Sequence, residues 1–95
     1  MKFGTQLWAQ ATDWRSFRDT VVAADAAGWD SAWTWDHILA IQGPWRQPIF
    51  EGWMSLAAWG AVTGRIRLGL MVGANTFRNP GLTAKLATTL DHITD

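Results

Sequence analysis

Asp36 and His37 stand side by side, directly after the apolar, aromatic run Ser31-Ala32-Trp33-Thr34-Trp35. An aspartate suits the turn that ends a strand, whereas a histidine titrates near neutral pH and serves as acid, base or ligand. Two readings follow. Either the imidazole works on a bound molecule, or the pair closes a loop, with Asp36 accepting from backbone N–H groups. The other ionisable candidates are weaker. His92 lies near a helix end, where a cation suits the dipole, and Glu51 lies near a helix start, where a carboxylate does. Arg78 suits an anion clamp or a surface salt bridge equally. Asp36, His37 and His92 form no metal-ligand set, because they lack an i, i+4 pair and any supporting cysteine. Neither GxGxxG nor a GxxxxGK phosphate loop occurs. Ser16, Ser31 and Ser55 have no nucleophile-elbow context.

Three βα units position these residues. Residues 2–8 (KFGTQLW) form a short strand-like run. Asp13 then offers an N-cap, and Trp14, Phe17, Val21 and Ala24 recur at helical spacing up to Gly28, a C-cap glycine. Residues 29–35 are the second strand. A loop with Gly43, Pro44 and Pro48 leads to a helix over about residues 50–63, stopped by Gly64, with Gly60 weakening its end. The third strand begins at Arg65 as RIRLGLMV. Its loop, GANTFRN, runs to Pro80 in the first turn of a helix whose stripe is Leu82, Leu86, Leu90 and Ile93. Strands alternating with helices imply parallel βαβ units. Ligands of such sheets bind at the strand C-termini, here residues 9–12, 36–48 and 73–79.

Composition narrows the function. The 95 residues are 48% hydrophobic and 17% charged with zero formal net charge, a globular balance. No basic cluster exists to neutralise nucleic-acid phosphates. Neither a membrane-length apolar run nor a secretory leader is visible. The absence of cysteine removes disulfide and thiolate-metal chemistry and is compatible with a cytoplasmic chain. Eight tryptophans are unusual; such side chains line pockets or simply pack cores. Three parallel strands need cover on both faces, and a closed barrel needs eight. The chain therefore reads as the start of a (β/α)8 barrel or of an open α/β sheet.

These segments resemble the N-terminal part of the luciferase-like monooxygenase superfamily, which contains flavin-dependent monooxygenases and oxidoreductases using the deazaflavin coenzyme F420. The resemblance is carried by MKFGTQL, AADAAGWDSAWTWDHI, FEGWMSLAAWGAVTGRIRLGLMV and NTFRNPGLTAKLATTLDHITD. Residues 65–95 carry its most specific block. The resemblance implies an α/β fold in which residues 1–95 are the first three βα units of a single TIM (β/α)8 barrel, truncated and without a complete active site. It implies F420-dependent hydride transfer to or from a small organic substrate. The alternatives are an FMN-dependent monooxygenase using O2 and reduced flavin, and a non-catalytic flavin-binding or subunit module.

By the same resemblance, His37 lies against the ring and relays charge, while Asp36 orients that region; both are assigned to catalysis. Met71, Val72, Gly73 and Ala74 join His37 in cofactor binding, with a non-proline cis peptide at Met71–Val72 backing the ring. The full-length protein is expected to be a homodimer, with a flavin reductase as partner if FMN is used. One departure stands out. Several F420 dehydrogenases carry a tryptophan four residues after the histidine, and this chain has Ile41 there, with Trp45 four later. A sugar-phosphate or simple alcohol substrate is therefore not implied. The phosphate-binding loops of the family belong to later strands.

Overall fold

The computed structural model describes residues 1–95. Its elements alternate without exception: β1 (Gly4–Gln6), α1 (Trp14–Ala26), β2 (Ser31–Thr34), α2 (Gly52–Gly60), β3 (Arg67–Leu70) and α3 (Pro80–Thr94). The three strands make one parallel sheet in the order β1-β2-β3, with Gly4, Thr5 and Gln6 beside Ser31, Ala32 and Trp33. Ser31 to Thr34 then pair in turn with Arg67, Leu68, Gly69 and Leu70.

Local chemistry sets the helix ends. Asp13 caps α1, accepting from the Ser16 N–H at 2.9 Å, and Gly28 adopts φ +87° just beyond the Ala27 C-cap. That left-handed backbone is one glycine adopts without a Cβ clash. Helix α2 is shorter than its apolar pattern predicts. Glu51 is the N-cap and accepts from the Met54 N–H at 2.7 Å, which leaves Phe50 in extended chain, donating to the Ala9 carbonyl. At the other end the Trp59 carbonyl is taken by the Val62 N–H and the Thr63 hydroxyl, so the helix closes before Gly64. Asn79 caps α3, with Pro80 in its first turn.

Parallel register divides the sheet into two unlike faces, since partnered residues point the same way. Leu7, Ala32, Leu68 and Leu70 face the helices and join Phe17, Val21, Leu56 and Trp59 in the core. The Phe17 and Trp59 rings lie 4.7 Å apart at its centre. The opposite face carries Gly4, Gln6, Ser31, Trp33, Arg67 and Gly69. Trp33 lies flat there: a Cβ on Gly69 would stand 2.6 Å from its Cε3. Its indole N–H donates to the Ser31 hydroxyl at 3.0 Å.

The stripe of α3 behaves differently from its periodicity. Leu82 and Ile93 are exposed, no residue of the helix is fully buried, and Leu90 alone of the stripe packs on the core cluster. Gly60 explains the contact that exists. A Cβ there would meet the Thr94 methyl at 2.7 Å, so the glycine lets α3 approach α2 closely. No helix is long and apolar enough to cross a membrane.

Asp25, near the end of α1, ties this helix to the start of β3. Its carboxylate accepts from the Gly64 and Ile66 N–H groups at 2.8 and 2.9 Å, while Arg65 donates to the Trp29 carbonyl at 2.7 Å. The Gly64 bond foremost, helped by the Ile66 bond and the Arg65 charge, holds this carboxyl below its ordinary 3.8, although burial, second in size to the Gly64 bond, opposes them. A depressed carboxyl stabilises the fold above its unfolded value, and that contribution is lost as pH falls through the folded one. Asp25→Asn should therefore lower the melting temperature at neutral pH, with the difference from wild type shrinking below about pH 3.8. Thermal melts across an acid series measure it; a gap that stays constant to low pH would exclude this role.

Candidate functional site

The strand C-termini gather the ionisable residues singled out by sequence. Asp36 follows β2 and is 3% exposed. Its two oxygens receive the Arg78 guanidinium as a fork, Nη1 to Oδ2 at 2.5 Å and Nη2 to Oδ1 at 2.8 Å. Oδ2 also accepts from the Ala74 N–H at 3.0 Å. Arg78 further donates to Glu51, whose other oxygen caps α2. The hydrogen bonds it donates to Asp36, and then the two carboxylate charges, raise Arg78 above its already high value, although partial burial opposes them. Arg78 is thus neither a free anion clamp nor a surface salt bridge. It is the centre of a largely buried network joining β2, α2 and the loop after β3.

Gly52 makes room for that network. A Cβ at this first residue of α2 would stand 2.9 Å from the Trp35 carbonyl oxygen and 3.2 Å from Asp36 Oδ1. The bare glycine lets the positive end of the helix dipole come up to the carboxylate, where an anion is favoured. Both Asp36 oxygens are therefore already engaged, by three hydrogen bonds from Arg78 and Ala74.

His37 is half-buried, with its ring 5.2 Å from that of Trp35, which in turn lies 5.1 Å from the Trp8 ring. These three form an aromatic row across the ends of β1 and β2. Trp35 is buried and its indole N–H has no hydrogen-bond partner. Just after β3, Met71 and Val72 are exposed, and the peptide between them is cis, at the bond the resemblance implied. Three bonds hold this segment. The Met71 N–H donates to Thr34 O at 2.7 Å, the Gln6 side-chain amide donates to Met71 O at 2.9 Å, and Asp36 holds the Ala74 N–H. Gly73 turns between them without crowding. His92 lies exposed in the last turn of α3, away from this network.

Two glutamines escaped the sequence reading. Gln6 reaches from β1 past β2 to the Met71 carbonyl. Gln10, 4% exposed, accepts from the Ile41 N–H at 2.9 Å and donates to the Gln42 carbonyl at 3.1 Å, pinning the loop after His37. Beside it, Ala11 adopts a left-handed φ of 54°, which costs a non-glycine residue roughly 1–2 kcal/mol. A buried amide next to a strand end was the available signal for Gln10. For Arg78 the signal was shared position, since it and Asp36 follow the C-termini of neighbouring strands. A concavity of about 760 Å³ lies elsewhere, along the unpaired edge of β3 between Trp53, Leu56 and Leu90.

Two substitutions separate these contributions. Arg78→Met leaves a buried carboxylate without its cation and should destabilise by about 3–5 kcal/mol in chemical denaturation. Gln10→Ala removes both part-buried hydrogen bonds, to the Ile41 N–H and the Gln42 carbonyl, and should cost about 1–3 kcal/mol, with faster proteolysis confined to residues 38–48. Equal, sub-kilocalorie effects of the two would contradict the network described here.

Sequence comparison agrees with the arrangement. The pattern of the family described as luciferase-like monooxygenase matches residues 1–95. The chain is also 35% identical over 95 residues to a Mycobacterium tuberculosis protein whose name provisionally assigns it as a coenzyme F420-dependent oxidoreductase. That alignment covers 98% of this chain and 24% of the relative, so the chain spans about a quarter of that protein's length. Together with three parallel βα units whose strand ends hold Asp36, His37 and the segment at 71–74, the full-length match shows that the chain belongs to the luciferase-like monooxygenase family.

Proposed function

We propose that the chain forms the first three βα units of a (β/α)8 barrel, and that the barrel is a cytoplasmic, homodimeric oxidoreductase transferring hydride between coenzyme F420 and a small organic substrate. The observation that carries this reading is that two neighbouring strand ends, one followed by Asp36 and His37 and the other by the exposed Met71 and Val72, are tied together. Asp36 and Ala74 are joined by a 3.0 Å hydrogen bond. The open sheet face and the groove along β3 suit a barrel, because further strands would cover both. The relative's name supports the cofactor.

The residues present fit a flat, largely apolar ring. Met71 and Val72 offer exposed apolar side chains, and the backbone at Gly73 and Ala74 is held in place beneath. F420, when bound, supplies a two-electron hydride carrier. His37 then holds or passes a proton at an imidazole nitrogen, with its ring steadied against Trp35. Asp36, its oxygens already engaged, keeps the loop in position and takes no part in proton transfer.

General acid–base assistance is typically worth roughly 10²–10⁴-fold in rate. In the full-length protein, His37→Ala should lower turnover by at least about tenfold, a floor set beneath that range, while leaving the melting temperature unchanged. Titration with F420 and with FMN, followed by fluorescence, identifies the cofactor. Preference for FMN, with O2 consumption and a flavin reductase supplying reduced flavin, would replace the hydride-transfer reading by a monooxygenase. Near-normal turnover in His37→Ala would make His37 structural. Absence of redox turnover with either cofactor would leave a non-catalytic module.

A further inference from the structure

We infer that Arg78 is a positioning residue for the segment at 71–74, acting through Asp36; its service to a cofactor rests on the function proposed above. The chain of contacts is short. The Arg78 fork occupies both Asp36 oxygens, and the Asp36 oxygen at 2.5 Å from Nη1 is the one that accepts from Ala74. Ala74 ends the stretch whose other end is fixed by Thr34 and Gln6 at Met71. Between these anchors stand the exposed side chains of Met71 and Val72.

Alternative partners for Asp36 are few on this side of the sheet. Glu51 holds the second edge of the same guanidinium and repels any other carboxylate. Gly52 contributes only backbone. The direction in which Asp36 presents Oδ2 is therefore set by the planar fork of Arg78, a geometry that a lysine ammonium does not reproduce. Arg78 touches neither His37 nor the exposed face of Met71 and Val72 through any hydrogen bond, so its effect on a bound ring is indirect.

Arg78→Lys in the full-length protein tests this, because it keeps the charge and with it the fold. Exchange of the Ala74 amide should accelerate at least about tenfold with little change in melting temperature. The dissociation constant for F420 or FMN, whichever the wild type binds, should rise by at least about tenfold, one decade being about 1.4 kcal/mol. Asp36→Asn should reproduce both changes, and the double variant should add little, as expected of residues acting in one network. Ala74 exchange in Arg78→Lys within about twofold of wild type would overturn the inference, as would unchanged cofactor affinity alongside accelerated exchange. If the wild type binds neither cofactor, the functional reading fails separately, and Ala74 exchange alone decides whether Arg78 holds the segment.

Discussion

A carboxylate shut away from water must be met by charge or by hydrogen-bond donors, and Asp36 is met by both. Its burial is close to complete, so an unmatched charge there would cost several kilocalories per mole. The guanidinium of Arg78, the Ala74 N–H and the bare N-terminus of α2 converge on it. Three elements distant in sequence are thereby fixed relative to one another at the ends of their strands. Everything proposed for the site, from the aromatic row at His37 to the exposed pair at 71 and 72, is mounted on that frame. The ion pair stabilises less than its short distances suggest, because desolvation offsets much of the attraction. Its larger effect is on specificity of arrangement.

The sheet imposes the second constraint. One face is closed by α1, α2 and the core around Phe17 and Trp59; the other carries Trp33 across two glycines, flanked by Gln6 and Arg67. Parallel strands are stable when both faces are covered, and the hydrogen-bonding edge of β3 has no neighbour here. Trp33 covers part of the open face with its own ring, and Ser31 satisfies the indole N–H.

Much of the fold was legible because it is written locally. Asp13, Gly28 and Pro80 mark helix ends within four residues of the groups they serve, and the alternation of elements follows from periodicity. The boundaries of α2 were less legible, since Glu51 and Thr63 compete for its terminal groups through side chains that an apolar pattern does not register. At the strand ends, the place of Asp36 and His37 after β2 was legible from the apolar run before them, and the cis bond at Met71–Val72 from family resemblance. The bonds that organise them were not. Gln6 and Met71 are separated by 65 residues, Asp36 and Arg78 by 42, and no local rule links them. The α3 stripe shows the converse: a clean helical period of which no residue is fully buried, with Leu82 and Ile93 exposed.

Helix α2 begins and ends on glycine, and this restricts how the chain can be engineered. Replacing a helical glycine by alanine ordinarily gains about 0.8–1.0 kcal/mol in propensity, so Gly52 and Gly60 would head any programme of thermal hardening. Both are closed to it, one by the Trp35 carbonyl and the other by Thr94. Gly64 has open space around it and an N–H that alanine would preserve for Asp25. Room for improvement in this chain thus lies in the turn before β3, away from the helix whose weakness first attracts attention.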